Sequence, residues 1–129
     1  MALGWAAATA NAILNALCRS TPWTEPVGLF VKLHVGDPGA AATANPAGNT
    51  TRVAATFGTN AAGGAISNTA AVAWTNVGTA EDYTHFSAWD DVAAGAFIFS
   101  GTITANAVAI GDDFTIPIGD CDVTVSTAA

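Results

Sequence analysis

Positive charge is nearly missing from this chain: Arg19, Lys32 and Arg52 stand against ten acidic residues, for a net charge of −7 over 129 residues. A chain with no basic patch cannot neutralise a phosphate backbone or settle on an anionic bilayer, so neither nucleic acid nor membrane is expected as a direct partner. No apolar run approaches the ~20 residues that span a bilayer. Cysteine is limited to Cys18 and Cys121, too few for a disulfide-dense scaffold or a closed zinc site; two buried thiols in a reducing cytoplasm are expected.

Several signals of chemistry are missing as well. There is no phosphate-binding loop, and Gly58, Gly63 and Gly64 lie between strand-like segments rather than at the start of a helix. Residues 1–20 lack a basic leading region, and Asn11 and Asn15 interrupt their apolar run, so they read as part of the fold rather than as an export signal. Leu17 before Cys18 also stands where a lipidation signal needs a small residue. Without export, the sequon Asn49-Thr50-Thr51 carries no glycan.

What is present is small and apolar. Apolar residues make up 51 % of the chain and charged ones 10 %, against about a quarter charged in an ordinary soluble domain. Much of the apolar share is alanine, which suits tightly packed sheets and close subunit contacts. The length suits one domain, 1–129, around one core.

Leu3, Ala6, Ala7, Ala10, Ile13, Leu14 and Leu17 recur at three- and four-residue spacing, predicting a helix over 3–18. Arg19 suits its carbonyl end and Ser20-Thr21-Pro22 breaks it, with Trp23 expected in the groove between helix and sheet. From 28 to 126 the pattern is β. Residues 28–35 alternate, with Leu29, Val31, Leu33 and Val35 on one face and Phe30, Lys32 and His34 on the other. Further strands are predicted over 52–57, 70–75, 83–89, 96–104, 114–116 and 121–126. The stretch 36–51, opening with Gly36-Asp37-Pro38-Gly39, reads as a long surface loop and first candidate for contact with a neighbouring subunit. The predicted fold is mainly β: an antiparallel β-sandwich, jelly-roll-like or Ig-like, with one N-terminal α-helix.

Ser87, His85 and Asp90 are the side-chain types of a hydrolytic triad, but no Gly-x-Ser-x-Gly elbow carries them. Alternation instead puts Tyr83, His85, Ser87 and Trp89 on one strand face and Thr84, Phe86 and Ala88 on the other. His34 and His85 with Asp37 or Asp90 lack metal-ligand spacing. Asp112, Asp113, Asp120 and Asp122 could supply oxygen ligands to calcium but read as turn residues without an EF-hand loop. The expectation is therefore no enzyme, no catalytic residues, no metal and no cofactor.

Three stretches, FVKLHVGDPG (30–39), ISNTAAVAWTNV (66–77) and YTHFSAWDDVAAGAFIFSG (83–101), followed by Gly-Asp turns and CDVTV, resemble small virion proteins of tailed bacteriophages, tail-fibre-like or minor tail proteins. The order of helix, His-x-x-Asp-Pro-Gly turn, Asn-Thr segment and aromatic Trp-Asp strand is matched over residues 11 to 125. The resemblance implies a β-sandwich on the particle, assembled in the bacterial host cytoplasm. It further implies contacts with itself, as a homotrimer, and with major capsid or tail proteins. The chain has no heptads, no repeats and no room for a shaft and tip, which favours head (capsid) decoration over a minor tail or fibre role. A mean hydropathy of +0.42 fits apolar surface covered on assembly. The other expected class is a carbohydrate-binding module stacking sugars on Trp23, Trp74, Tyr83 and Trp89.

Overall fold

The computed structural model describes residues 4–128. Strand β1 (Gly4–Trp5) precedes the helix α1 (Ala7–Arg19), after which come β2 (Leu29–His34), β3 (Val53–Ala55), β4 (Ala65–Ser67), β5 (Val72–Trp74), β6 (Glu81–Trp89), β7 (Phe97–Val108), β8 (Phe114–Ile116) and β9 (Asp122–Thr124). Five strands form one sheet in the order β1-β7-β6-β2-β3, and β4-β9 and β5-β8 form two-stranded ladders. Every pairing is antiparallel. The protein is mainly β with one short helix, as the alternation predicts, in a lopsided sandwich-like arrangement.

The helix starts later than its apolar spacing suggests. Gly4 (φ 124°) and Trp5 pair with Ser100 and Phe99, and the Ala6 amide donates to the Ile98 carbonyl at 2.8 Å. This pairing spends the preceding residues on the sheet; Leu3 lies outside the described residues. At the other end Ser20 turns left-handed (φ 52°) and its N–H caps the Asn15 carbonyl, which is the αL stop that Pro22 then makes final. The apolar stripe is only partly covered: Ala6 is buried, Ala10 and Ile13 are half-buried, and its C-terminal part is open. Thr9 is the one buried residue of α1, Leu14 and Leu17 are 57 % and 76 % exposed, and Cys18 is exposed. The expectation of two buried thiols therefore holds for Cys121 alone, because the face of α1 that carries Cys18 is left uncovered among the described residues. Trp23, 38 % exposed, does not fill a helix–sheet groove but lines an open cleft with Trp5, Leu29, Phe57 and Phe99.

The core lies between the large sheet and the β5-β8 ladder. Val31 and Leu33 of β2, Phe86 and Ala88 of β6 and Phe99 of β7 meet Val72, Trp74, Phe114 and Ile116. Cross-strand register puts Val31 opposite Ala88 and Leu33 opposite Phe86, so alternation assigns their faces correctly. Gly101 stands opposite Phe86, and a Cβ there would lie 2.7 Å from a carbon of the Phe86 ring. The edge of that ring lies against a bare backbone.

Tyr83 departs from the alternation. A register shift between Tyr83 and His85 turns its side chain away from the face of His85 and Ser87 and into the core, 4.9 Å centroid to centroid and edge-on to Phe114. One extra residue in a ladder reverses the facing of everything beyond it. The Tyr83 hydroxyl is buried beside Glu81 and Asn49 without hydrogen-bond geometry to either.

The stretch 36–51 is not an outlying arm. It folds back on β2, with Val35 N–H donating to Asn45 O and Ala47 N–H to Leu33 O, and with Pro38, Ala42 and Ala47 buried. Small residues allow this close approach, and polar side chains satisfy the bent backbone. Asp37 Oδ1 accepts from Gly39 N–H at 2.9 Å and Asn45 Nδ2 donates to Asp37 O at 2.8 Å.

Candidate functional site

His34 and Ser87 stand on adjacent strands, in the register His34 opposite His85 and Lys32 opposite Ser87. This makes His34 and Ser87 diagonal neighbours on the sheet face away from the core. His34 Nε2 lies 2.8 Å from Ser87 Oγ, and its Nδ1 lies 2.9 Å from the Ala44 carbonyl. A carbonyl only accepts, so Nδ1 carries the proton, Nε2 accepts from the serine hydroxyl, and Ser87 Oγ in turn accepts from Trp89 Nε1–H at 2.8 Å. Burial, ahead of every other influence, holds the His34 ring below the usual histidine range; the positive charge of Lys32 adds to this and the Ala44 carbonyl opposes it.

A serine bonded to a histidine that is oriented by an oxygen has the outline of a nucleophile and its base. Both residues are fully buried, however, and the Trp89 N–H already occupies an acceptor position of Ser87 Oγ. The arrangement fastens the 36–51 loop to the sheet through Ala44. Ser87, His85 and Asp90, read from the sequence as strand-face and turn residues rather than as a triad, are each bonded elsewhere. His85 Nδ1 pairs with Thr84 Oγ1 at 2.8 Å, and Asp90 Oδ1 accepts from the Ala96 amide at 2.6 Å.

Other polar residues of the three stretches that carry the resemblance are spent in the same way. Asn68, 1 % exposed, donates from Nδ2 to Ala70 O (2.9 Å) and Pro117 O (3.0 Å), while its Oδ1 accepts from Gly119 (3.1 Å) and Cys121 (2.9 Å) amides. It thus ties the start of β5 to the turn before β9. Asp91 Oδ1 accepts the Ala93 and Ala94 amides, which lower its carboxyl below the ordinary range. Gly95 (φ 80°) packs so close to Asp90 and Asp91 that a Cβ would collide with both. Arg52 reaches over from the strand side, 4.0 Å above the Trp89 ring, and donates to the Asp91 and Ala94 carbonyls.

The acidic turns are likewise occupied. Asp112 Oδ2 accepts from the Ala109 amide and Asp113 Oδ1 from the Asn76 amide, both at 2.9 Å. Asp120 and Asp122 lie in the next turn and at the start of β9. Among the described residues no group of three His, Cys, Asp or Glu side chains is placed to hold a metal ion. Cys121 is fully buried, and burial followed by the charge of Asp122 pushes its thiol up to about 12.

The surface offers apolar features instead. A cleft of about 540 Å³ opens beside Trp5 and Trp23, with Thr56 as the single side chain bearing a hydroxyl among its lining residues. Val27, fully exposed, is one of its lining residues, and the exposed Leu14 and Leu17 stand between its two tryptophans in sequence. Sequence reasoning missed this cleft because Trp5 and Phe99 come together only through the two-residue strand β1.

Compared with models of known protein families, residues 4–124 match that of podophage GP4 fiber I protein gp80. The chain belongs to this family. It is a virion accessory protein of the fibre-like kind, as the His-x-x-Asp-Pro-Gly, Asn-Thr and Trp-Asp stretches implied. No curated protein sequence matches it significantly. In this member of the gp80 family the motif residues act on the chain's own backbone: His34 and Asp37 hold the loop, Asn68 the β8–β9 turn, Asp90 and Asp91 the β6–β7 connection. Of the four aromatics considered for sugar stacking, Trp74 and Tyr83 are buried and Trp89 lies beneath Arg52, leaving Trp23 partly open.

Proposed function

We propose that this gp80-family chain is a non-enzymatic structural subunit of the phage particle, carried on the fibre and tail side and working as a self-assembled homotrimer. The observation that carries the reading is the match over residues 4–124, which takes in every strand of the fold. Its polar motif residues are consumed in internal hydrogen bonds, while its free surface is rich in large apolar side chains. That is the economy of a subunit whose work is contact: many weak interfaces repeated by symmetry. The family description, a fibre protein, favours the fibre side over head decoration, the other location the sequence suggested. The partners are then further copies of the chain and tail proteins.

A sugar-binding role draws less support, because a glycan needs hydrogen-bonding groups around its stacking ring and the Trp5–Trp23 cleft supplies almost none. The experiment is to band particles, separate tails from heads, and quantify peptides of this chain against those of a major structural protein. Enrichment with tails in a fixed ratio is expected. Enrichment with heads would move the subunit to the capsid surface, and absence from particles would overturn the structural reading.

A further inference from the structure

We infer that the exposed part of the α1 stripe, together with the cleft lined by Trp5 and Trp23, the two tryptophans that flank α1 in the chain, is the surface through which copies of this chain bind one another. This rests on the reading of the chain as a self-assembling subunit and names the surface it would use. Thirteen residues is the length at which an isolated helix is marginal in water, because nucleation is costly and helices in proteins draw their stability from packing. Yet α1 has no side-chain N-cap bond and buries Thr9 alone. Its stripe of Ala10, Ile13, Leu14 and Leu17 follows the three- and four-residue spacing of a helix face made to be covered, yet Ala10 and Ile13 are only half-buried and Leu14 and Leu17 are exposed.

Two observations select a further copy as the cover. The first is area. Trp5, Leu14, Leu17, Trp23 and Val27 are 37 %, 57 %, 76 %, 38 % and 104 % exposed. Taking for all five the roughly 150–250 Å² of a fully exposed aromatic side chain as an upper scale, they present on the order of 500–800 Å². That approaches the ~800 Å² each partner contributes to a stable interface before Ala10 and Ile13 are counted. The second is charge. Each copy carries −7, so like copies repel unless they meet where acids are missing. No acidic residue precedes Glu25, α1 bears Arg19 alone, and none of the cleft-lining residues is titratable. A basic partner would instead be drawn to the aspartate turns.

The test is light scattering during size exclusion of the full chain, wild type beside the double variant Leu14→Glu/Leu17→Glu and the control Ile118→Glu. All three sites are more than half exposed, and glutamate is a good helix former, so near-UV dichroism should show the folded signal throughout. Wild type and control are expected at three times the 12.8 kDa of one chain, and the double variant at one. A double variant that keeps the full mass would overturn the α1 interface and leave the assembly reading standing. A wild type that stays monomeric at every concentration would overturn both. A nitroxide on Cys18, at the end of the stripe, tests the contact without a substitution in it. An immobilised spectrum is expected in the oligomer, and a freely tumbling one would refute the interface.

Discussion

Replacing Asn68 by alanine removes four hydrogen bonds made by one buried side chain. Two of the partners have other recourse: Gly119 N–H still reaches the Asn68 carbonyl at 3.0 Å, and the Ala70 carbonyl lies next to exposed chain. Cys121 N–H does not, since its residue is fully buried and Asn68 Oδ1 is its acceptor. An orphaned buried amide costs about 1–3 kcal/mol, and each further net hydrogen bond contributes about 0.5–1.5. The expected loss is about 3 kcal/mol, a large share of the ~5–15 kcal/mol that holds a domain folded. At about 3–4 °C per kcal/mol for a chain of this size, the melting temperature should fall by roughly 10 °C. Urea unfolding followed by tryptophan fluorescence, at one fixed protein concentration so that assembly does not shift the midpoint, measures it. The exposed control Asn60→Ala should stay within about 0.5 kcal/mol. A loss below about 1 kcal/mol for Asn68→Ala would refute the role given to this side chain.

Other outcomes follow from the same geometry. His34 is held neutral with its pKa lowered, so the unfolded chain takes up its proton first as pH falls. Stability is then complete above the unfolded value of about 6.5 and declines below it, by at most about 1.4 kcal/mol per pH unit, until the folded ring also titrates; chemical denaturation of wild type and His34→Gln from pH 7.5 to 5 should show that slope in wild type alone. A thiol reagent should find one reactive cysteine, Cys18, in the folded single chain of the Leu14→Glu/Leu17→Glu variant and two after unfolding, because Cys121 is buried with its thiol pushed up to about 12; two in the folded state would contradict the packing. Gly101→Val should cost about 1–3 kcal/mol by urea titration, since its Cβ meets the Phe86 ring.

Alternation and turn chemistry were enough to locate the sheet. Strand β8 runs over 114–116 as expected, and β2 falls one residue inside each predicted end. Strand β4 was invisible because three residues between Gly64 and Asn68 carry no period, and β1 because a Gly-Trp pair becomes a strand only by docking on Ser100 and Phe99. β7 runs to Val108, past the predicted end at 104, because Ala105 to Ala107 have weak β patterning and the strand end is held by pairing of Asn106, Ala107 and Val108 with Tyr83, Asp82 and Glu81. The Ser87–His34 pair was hidden for a different reason. Sequence proximity grouped Ser87 with His85, whereas the register of β2 on β6 brings in a residue 53 positions away. The helix was found from its stripe, but period alone does not say whether the stripe faces the chain's own sheet or another molecule.

Electron cryo-microscopy of purified particles, with this chain identified by its side-chain density, tests the central claim most directly. The account predicts the fold of residues 4–124 in threefold clusters on the fibre and tail apparatus, with α1 at the contacts between copies. Isolated single copies, or density for this chain within the head shell alone, would contradict it.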